Sequence, residues 1–320
     1  MNEKRRRKTK NSMKRRSLNP VIIFILIILL FILLWLKDLS RQLEDVKSIL
    51  EKTEISTRTE ERVSADIMEV AIENVDYVGS IETLDAEKPV ERSETEVLQR
   101  LKEFGKTNST IKEISDNSSL YPKEMLAALA NNPEMTDFVA GYLNAETDTA
   151  EELTDTEREQ EFPLLLQWDP RWGYKPYGNG SVIGLAGCGP TCMSMVLLYL
   201  TKDSSLTPGR IASYSMQNGY YVDSVGTAWA LMEDVPKLYN VKVSTPTFSE
   251  SGMKGVLDNG SVIICAMRRG DFSSSGHFIV IYGYDRDGFK INDPNCIARS
   301  ERRWTFEELK WQIKNLWAYT

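Results

Sequence analysis

The hydrophobic positions of this chain follow three patterns in succession. Residues 21–36 are an unbroken apolar run of 16 residues. Between residues 96 and 143 apolar positions recur every three or four residues, as at Val97 and Leu101, a spacing that predicts short helices. After residue 162 the apolar runs are longer and closer together, which predicts a packed domain over 162–320.

The domain over 162–320 is predicted to begin with helices and to continue with strands. A helix that carries cysteines comes first, and one of the later strands opens at the single histidine. This order indicates an α+β fold, in which a helical part is followed by an antiparallel sheet. The helices are predicted at 188–200, 207–218, 227–239 and 305–314, and the strands at 241–244, 261–267, 277–284 and 288–292.

The long apolar run predicts one transmembrane helix over residues 20–37. At about 1.5 Å per residue the run spans roughly 24 Å, and its flanking residues extend it towards the ~30 Å of a bilayer core. A cleaved signal peptide is the alternative. The run is longer than the usual apolar region of such peptides, however, and no small-residue cleavage pattern follows it.

Charge is distributed unevenly on the two sides of this run. Residues 1–19 carry nine Lys and Arg against one acid, residues 37–161 have a net charge of −17, and residues 162–320 have +2. Basic residues stay on the cytoplasmic side of a span, so everything after residue 37 is expected outside the cytoplasm. Nucleic-acid binding is the alternative for the basic tail. A tail beside a span mainly sets topology and touches anionic lipid, so no nucleic-acid partner is expected.

The stretch between the span and the domain is predicted to contain three segments. Leu39, Leu43, Val46 and Leu50 have heptad-like spacing, which fits either a short coiled-coil stalk that oligomerises or a single solvated helix. Residues 144–161 hold eight acids and one arginine, as is typical of a linker or a solvated edge. The segments are a stalk over 38–95, a helical unit over 96–143 and an acidic linker over 144–161.

One histidine and four cysteines limit the possible chemistry. A single histidine excludes sites that need two, including the HExxH metallopeptidases. Cys188 and Cys192 have the spacing of a metal pair, but the other two cysteines, Cys265 and Cys296, are isolated in other elements. No metal and no other cofactor is therefore expected.

The segment Gly187-Cys188-Gly189-Pro190 places a cysteine at the start of a helix. Pro190 suits the first helical turn, where its missing N–H costs nothing. The free N–H groups at a helix start favour a thiolate, and the two glycines would let a substrate backbone approach. Cys188 is therefore the candidate nucleophile, with a buried structural cysteine as the alternative. Cys192, one turn on, has the neighbours of a core residue.

His277 opens an apolar strand after a flexible Ser/Gly run, and its ordinary pKa of about 6.5 suits proton exchange with a thiol. The next strand returns Asp293 towards it, and a carboxylate there would fix the imidazole tautomer. Simple pairing puts Asp293 nearer residue 280 than 277, so a bulge or bend is needed. Asn292 and Asn295 are rival orienting residues, and an Asx-Pro turn is the structural alternative for Asp293.

Gln167 is the candidate second donor to a tetrahedral oxyanion. The backbone N–H of Cys188 can be the first donor, and a side-chain amide upstream is a common second one. From composition alone, Gln167 would be a surface residue.

The domain over 162–320 resembles the bacteriocin-processing, double-glycine-type cysteine peptidases of the papain-like superfamily, and most closely their stand-alone branch in Gram-positive bacteria. The resemblance implies a papain-like fold with Cys188 as nucleophile, His277 as general acid and base, Asp293 as orienting residue and Gln167 as oxyanion donor. It is carried by four segments in order: Leu166-Gln167-Trp168-Asp169, Gly187-Cys188-Gly189-Pro190-Thr191-Cys192, Gly276-His277-Phe278-Ile279-Val280 and Asn292-Asp293-Pro294.

The sequence therefore predicts a single-pass, membrane-anchored, extracytoplasmic cysteine peptidase or amide hydrolase with a peptide or protein substrate. Two alternatives stay open. The same triad could cut peptides of peptidoglycan, or the domain could be a catalytically silent peptide-binding module.

Overall fold

The computed structural model describes Val78, Ile81, residues 87–223 and residues 225–320. The predicted cytoplasmic tail (1–19), transmembrane helix (20–37) and most of the stalk (38–95) lie outside the described residues. Among the described residues, no helix is both long and apolar enough to cross a membrane. The described residues all belong to one compact unit, whose bounds are Asn74–Thr320.

The helices before residue 145 form what we call the helical region, and the first two begin at polar caps. The side chain of Ser93 caps the first helix and that of Asn108 caps the second. The helices of this region are α1 (Glu94–Phe104), α2 (Ser109–Asp116), α3 (Lys123–Asn131) and α4 (Thr136–Gly141). Those that follow are α5 (Asp155–Glu159), α6 (Ile183–Ala186), α7 (Cys188–Thr201), α8 (Pro208–Gln217), α9 (Ala230–Asp234), α10 (Glu250–Asp258), α11 (Ile297–Glu301) and α12 (Phe306–Leu309).

The strands form a two-stranded ribbon and one larger antiparallel sheet. Their bounds are β1 (Tyr221–Val222), β2 (Gly226–Thr227), β3 (Val243–Ser244), β4 (Val262–Arg268), β5 (Gly276–Asp285), β6 (Gly288–Asn292), β7 (Arg303–Trp304) and β8 (Ile313–Tyr319). The ribbon pairs β1 with β2, and the sheet has the order β3-β8-β4-β5-β6-β7. This is the α+β arrangement expected from the sequence.

Both faces of the central strands are buried. On β4, Ile264 points into a core beneath α7, whereas Ile263 points into a second core that includes Met253 of α10 and Leu309 of α12. A strand buried on both faces is apolar at every position, so it shows no alternation along the sequence.

The helical region and the domain over 162–320 share a third core. Phe138 of α4 stacks on Tyr174 with ring centroids 4.6 Å apart, and the Tyr174 hydroxyl donates to the Phe138 carbonyl at 2.8 Å. Trp168 and Ile297 of the domain enter the same cluster. The helical region is therefore packed into the domain by apolar contact and by hydrogen bonds.

The acidic stretch 144–161 is attached to the domain by ion pairs. Glu157 of α5 is 2% exposed and meets Arg171 at 2.6 Å. Glu151 meets Lys175 at 2.6 Å, and both side chains are largely buried. Some acids in this stretch therefore complete the fold, which distinguishes it from a free linker.

The predicted helix over 305–314 is wrong in its second half. Only α12 is helical there, and the chain then enters β8, which lies between β3 and β4 in the sheet. The side chains of Leu316 and Trp317 enter the cores on opposite faces of the sheet. This burial on both faces removes the alternation that marks a half-exposed strand.

Candidate active site

Cys188 stands where two helices meet. The backbone N–H of Gly187 donates to Ile183 at 2.7 Å and closes α6, and the N–H of Thr191 donates to Gly187 at 3.0 Å and opens α7. Pro190 falls in the first turn of α7, as predicted. Cys188 is half-buried at this junction. Its position leaves the thiol at the edge of the domain core.

The glycines on either side of Cys188 are required by packing. A Cβ on Gly187 would lie 2.5 Å from Ile183 Cγ2, and one on Gly189 would lie 2.7 Å from Thr227 Oγ1. Thr227 is itself held by the Tyr177 hydroxyl at 2.7 Å. The motif therefore lets α7 begin in close contact with α6 and β2, a role that sequence analysis did not identify.

The hairpin of β5 and β6 has to bring Asp293 beside His277. Gly288 pairs with Asp285 at the turn, and regular pairing from there would put Asp293 level with Val280. Val280 and His277 are an odd number of residues apart, so their side chains point to opposite faces of a regular strand. Regular pairing would therefore leave Asp293 on the wrong face of the sheet.

A β-bulge in β5 removes this mismatch. The register shifts within the hairpin, so that Val280 pairs with Asn292. One residue further on, Asp293 is level with Ile279, whose side chain lies on the same face as His277. The bulge that the sequence analysis required is present, and it moves Asp293 both closer and onto the correct face.

Asp293 is fully buried, and both of its carboxylate oxygens are occupied. Oδ1 accepts from His277 Nε2 at 2.6 Å and from the backbone N–H of Asn295 at 2.8 Å. Oδ2 accepts from Arg299 Nε at 2.6 Å. The backbone N–H of Asp293 donates to Ser300 Oγ at 2.8 Å. The carboxylate is therefore fixed from the sheet on one side and from α11 on the other.

Charged neighbours, more than burial, control the ionisation of this pair. Burial would raise the pKa of Asp293, but Arg299 and His277 outweigh it and lower this pKa to about 2. Burial would lower the pKa of His277, but Asp293 and the hydrogen-bonded Cys188 raise it to about 9. Asp293 is therefore an anion and His277 a cation at neutral pH.

The imidazole of His277 connects Asp293 to Cys188. Its Nε2 faces Asp293, so Nδ1 is the nitrogen left for the thiol, to which the ring is hydrogen-bonded. His277 is 8% exposed and Asp293 is 0% exposed. The three side chains form a continuous line of contacts from a reachable thiol to a buried carboxylate.

Gln167 lies beside this line of contacts and is 3% exposed. Its backbone N–H donates to Pro294 at 2.7 Å, and its side-chain Nε2 donates to the Gly184 carbonyl at 2.9 Å. An amide NH₂ has two hydrogens, so one remains after the bond to Gly184. Among the described residues, Gln167 Oε1 is buried and has no hydrogen-bond partner.

One cavity of about 420 Å³ brings the predicted site residues together. Cys188, His277 and Gln167 line it, while Asp293 lies behind His277. The loop 273–275 and Gly276, the first residue of β5, form a further part of the lining. A further wall of the cavity comes from outside the domain. Its residues are Pro89, then Glu124, Ala127, Ala128 and Asn131 of α3, and Asn132 directly after α3.

Asn131 ties the segment around Pro89 to this wall. Its Oδ1 accepts from the Val90 N–H at 3.0 Å, and its Nδ2 donates to the Val90 carbonyl at 3.1 Å. The side-chain amide thus pairs with both backbone groups of Val90, as the backbone of a neighbouring β-strand does. Lys88 also makes a 3.7 Å ion pair with Asp271, which precedes the loop before β5. The chain before α1 is therefore held beside the cavity, which Pro89 lines.

Comparison with known proteins assigns the chain to a family. The model of the Peptidase C39-like family matches residues 159–320, half of the chain. The chain belongs to this family. Membership supports the α+β peptidase fold and points to cysteine peptidase activity. No curated protein matches the chain.

Two solved structures are similar to the C39-like domain at low identity. One is the peptidase domain of Streptococcus ComA, a bifunctional ABC transporter involved in quorum sensing. It is 16% identical, with a TM-score of 0.35, and the match covers 50% of this chain and 96% of that domain. The other is a C39-like peptidase from Bacillus anthracis. It is 14% identical, with a TM-score of 0.30 and coverages of 50% and 94%.

The other cysteines, and the two asparagines that were alternatives to Asp293, do not take these roles in the site. Burial raises the pKa of the Cys192, Cys265 and Cys296 thiols above the ordinary range. Asn292 donates to the Pro163 carbonyl at 3.0 Å and to Met195 Sδ at 3.7 Å, whereas Asn295 meets Asp293 through its backbone. Within the described part of the chain, no group of His, Cys, Asp and Glu is arranged to hold a metal ion.

Arg299 is the site residue that sequence analysis missed. It is 3% exposed on the five-residue helix α11 and bonds to Asp293. No motif or periodicity around Arg299 marks it, because its contact depends on α11 folding back towards the end of β6. Only the tertiary structure identifies it.

We expect His277 to titrate well above its ordinary pKa. As the only histidine in the chain, it gives a single set of imidazole signals in NMR of untagged protein. In a Cys188→Ala background its pKa should stay above 6.5, and the added Asp293→Asn should bring it below 6.5, because burial then prevails. Asp287→Asn, in the exposed turn of the same hairpin, is the control.

The same shift has a consequence for stability. Because the folded pKa of His277 lies near 9 and the unfolded value near 6.5, the contribution of His277 to the free energy of unfolding is complete below about pH 6.5 and is lost as the pH rises through 9.

If Asp293→Asn leaves the pKa of His277 unchanged in the NMR titration, the pairing of His277 with Asp293 is contradicted.

Proposed function

We propose that this protein is a cysteine peptidase whose catalytic residues are Cys188, His277, Asp293 and Gln167. The observation that carries the proposal is the line of contacts from Cys188 through His277 to Asp293, with the thiol end on an open cavity. Membership of the C39-like family supports the same chemistry.

In the first half of the reaction, His277 already carries the proton as an imidazolium, and the Cys188 sulfur beside it is the thiolate. The sulfur attacks the carbonyl carbon of a peptide bond, so that a C–S bond forms and the carbonyl oxygen becomes an oxyanion. Asp293 holds the imidazolium in place and stabilises its charge. His277 then gives its proton to the leaving nitrogen as the C–N bond breaks, which leaves an acylated Cys188.

In the second half, a water molecule releases the acyl group. His277 takes a proton from the water, whose oxygen attacks the thioester carbonyl. Collapse of the intermediate breaks the C–S bond and releases a carboxylic acid, and the proton stays on His277 beside the Cys188 thiolate. The enzyme is restored without an oxidant, a reductant or a metal in the balance.

Gln167 and the backbone N–H of Cys188 are the proposed oxyanion donors. The first N–H groups of a helix have no partner within it, so that of Cys188 is available at the start of α7. The second amide hydrogen of Gln167 is left over from the bond to Gly184. Two donors fixed before the reaction stabilise the oxyanion without further reorganisation.

We further propose that the protein is anchored by one span over residues 20–37, with the domain outside the cytoplasm and a peptide or protein as substrate. The 16-residue apolar run and the nine basic residues before it support this topology. The placement fits the stand-alone, membrane-anchored branch that the sequence resembles.

Alkylation of the cysteines tests the nucleophile. In the full-length chain, iodoacetamide should label Cys188 much faster than a free thiol below pH 8, and His277→Ala should abolish the excess rate, because the imidazolium stabilises the thiolate. Mass spectrometry over pH 4–10 follows each cysteine separately. Cys192→Ala is the matched control and should leave Cys188 labelling unchanged. If Cys188 is labelled at the rate of a free thiol in both the wild type and His277→Ala, the silent binding module is supported instead.

Gln167→Ala separates oxyanion binding from thiol activation. Alkylation forms no oxyanion, so its rate should be unchanged. Acylation by p-nitrophenyl acetate passes through an oxyanion, and its burst rate should fall by about 10²–10³. Gln160→Ala, an exposed position before the domain, is the control. Equal loss in both reactions would mean that Gln167 supports the fold and not the oxyanion.

Protease treatment of intact cells tests the topology. An added protease that does not enter the cell should remove the domain over 162–320 and spare the basic tail, since the tail is expected on the cytoplasmic side. Immunoblotting with antibodies to each end gives the readout. Complete protection of the domain until the cells are lysed would contradict the proposed orientation.

A further inference from the structure

Two buried polar side chains of the helical region reach the loop that holds Asp293. Asn132 is 4% exposed and Glu134 is 5% exposed, and both lie just after α3. They precede the family match, which begins at residue 159. Their partners lie more than 160 positions further along the chain, at 295–298.

The carboxylate of Glu134 fixes the start of α11. Oε2 accepts from the backbone N–H of Ile297 at 2.8 Å, and Oε1 accepts from that of Ala298 at 3.0 Å. Both N–H groups belong to the first turn of a helix, where no intrahelical acceptor exists. The next residue of α11 is Arg299, which bonds to Asp293. Glu134 therefore sets the position from which Arg299 reaches the carboxylate.

Asn132 fixes the other side of the same loop. Its Nδ2 donates to the Asn295 carbonyl at 2.5 Å, and Trp168 Nε1 donates to that carbonyl at 3.1 Å. The backbone N–H of Asn295 is one of the donors to Asp293. Asn132 also accepts from the N–H of Glu134 at 3.2 Å, which joins the two side chains into one unit.

The sheet alone does not hold this loop. The pairing of β5 with β6 ends at Asn292, one residue before Asp293, and Pro294 has no N–H to donate. The geometry of Asp293 beyond that point depends on Asn295 and Arg299, one on each oxygen. These are the two residues whose surroundings Asn132 and Glu134 determine.

We propose that Asn132 and Glu134 are positioning residues of the peptidase, which makes the helical region a working part of the active site. They hold the segment from Asn295 to Arg299 so that Asp293 stays aligned with His277. The proposal rests on the proposed function. Residues of the same region also line the cavity that contains Cys188, so the region contributes to the site directly as well.

The test compares Glu134→Gln and Asn132→Ala with the wild type in the full-length, untagged chain. Glu134→Gln keeps the size of the side chain but replaces one acceptor by a donor that faces an N–H. The matched control is Glu113→Gln, an exposed position on α2 of the same region. The readouts are the pKa of His277 by NMR, the alkylation rate of Cys188 at pH 6 and the melting temperature.

We expect Glu134→Gln to slow alkylation of Cys188 about tenfold, the factor that corresponds to one lost charge-assisted hydrogen bond. The pKa of His277 should fall with it, since Asp293 then pairs less well with the ring. The other charged or titratable groups near the pair are Arg299 and the thiols of Cys188, Cys192 and Cys296. Asn132→Ala should have a smaller effect in the same direction, because Trp168 still donates to Asn295. Glu113→Gln should change neither the pKa of His277 nor the alkylation rate of Cys188.

The proposal is overturned if folded Glu134→Gln and Asn132→Ala keep the wild-type pKa of His277 and the wild-type alkylation rate, whatever their melting temperatures. If Glu134→Gln does not fold, Asn132→Ala decides by the same criterion. Failure of the proposed function gives a different result: in the wild type, alkylation of Cys188 would be independent of His277. The pKa of His277 would then still report on the two positioning residues.

Discussion

The buried carboxylate of Asp293 is the interaction on which the rest of the site depends. An ionised carboxylate without partners is very costly in a protein interior, so its position is stable only where cations and N–H groups surround it. Arg299 and His277 each take one oxygen, and the loop backbone supplies a further donor. The orientation of His277, and through it that of Cys188, is therefore tied to the folding of a loop beyond the end of the sheet.

This dependence explains why the region before residue 159 is packed so closely into the family domain. The stacked pair of Phe138 and Tyr174 joins the two parts through apolar contact. Glu134 and Asn132 then reach the Asp293 loop through hydrogen bonds that are shielded from water. Burial strengthens such bonds and also makes them costly to leave unmade. The helical region is thus an integral part of the domain's structure and forms one wall of its cavity.

Local signals in the sequence were sufficient for the elements that carry the site. Glycine and proline around Cys188 predicted the start of a helix, and a turn between two apolar runs predicted the hairpin that holds His277. Pairing arithmetic also showed that a bulge was required, although not where it would lie. The strand β8 was missed because it is buried on both faces and shows no alternation.

The sequence by itself determined the fold class, the candidate nucleophile and base, and the order of the segments that carry them. These features follow from periodicity, turn chemistry and the presence of a single histidine, all of which are local or countable. The tertiary structure alone decided that Asp293 and not Asn292 faces His277, that Arg299 shares the carboxylate, and that Glu134 supports the loop. The physical reason is distance along the chain. A buried charge finds its partners across elements that lie far apart in sequence, and no local pattern records which partners those are.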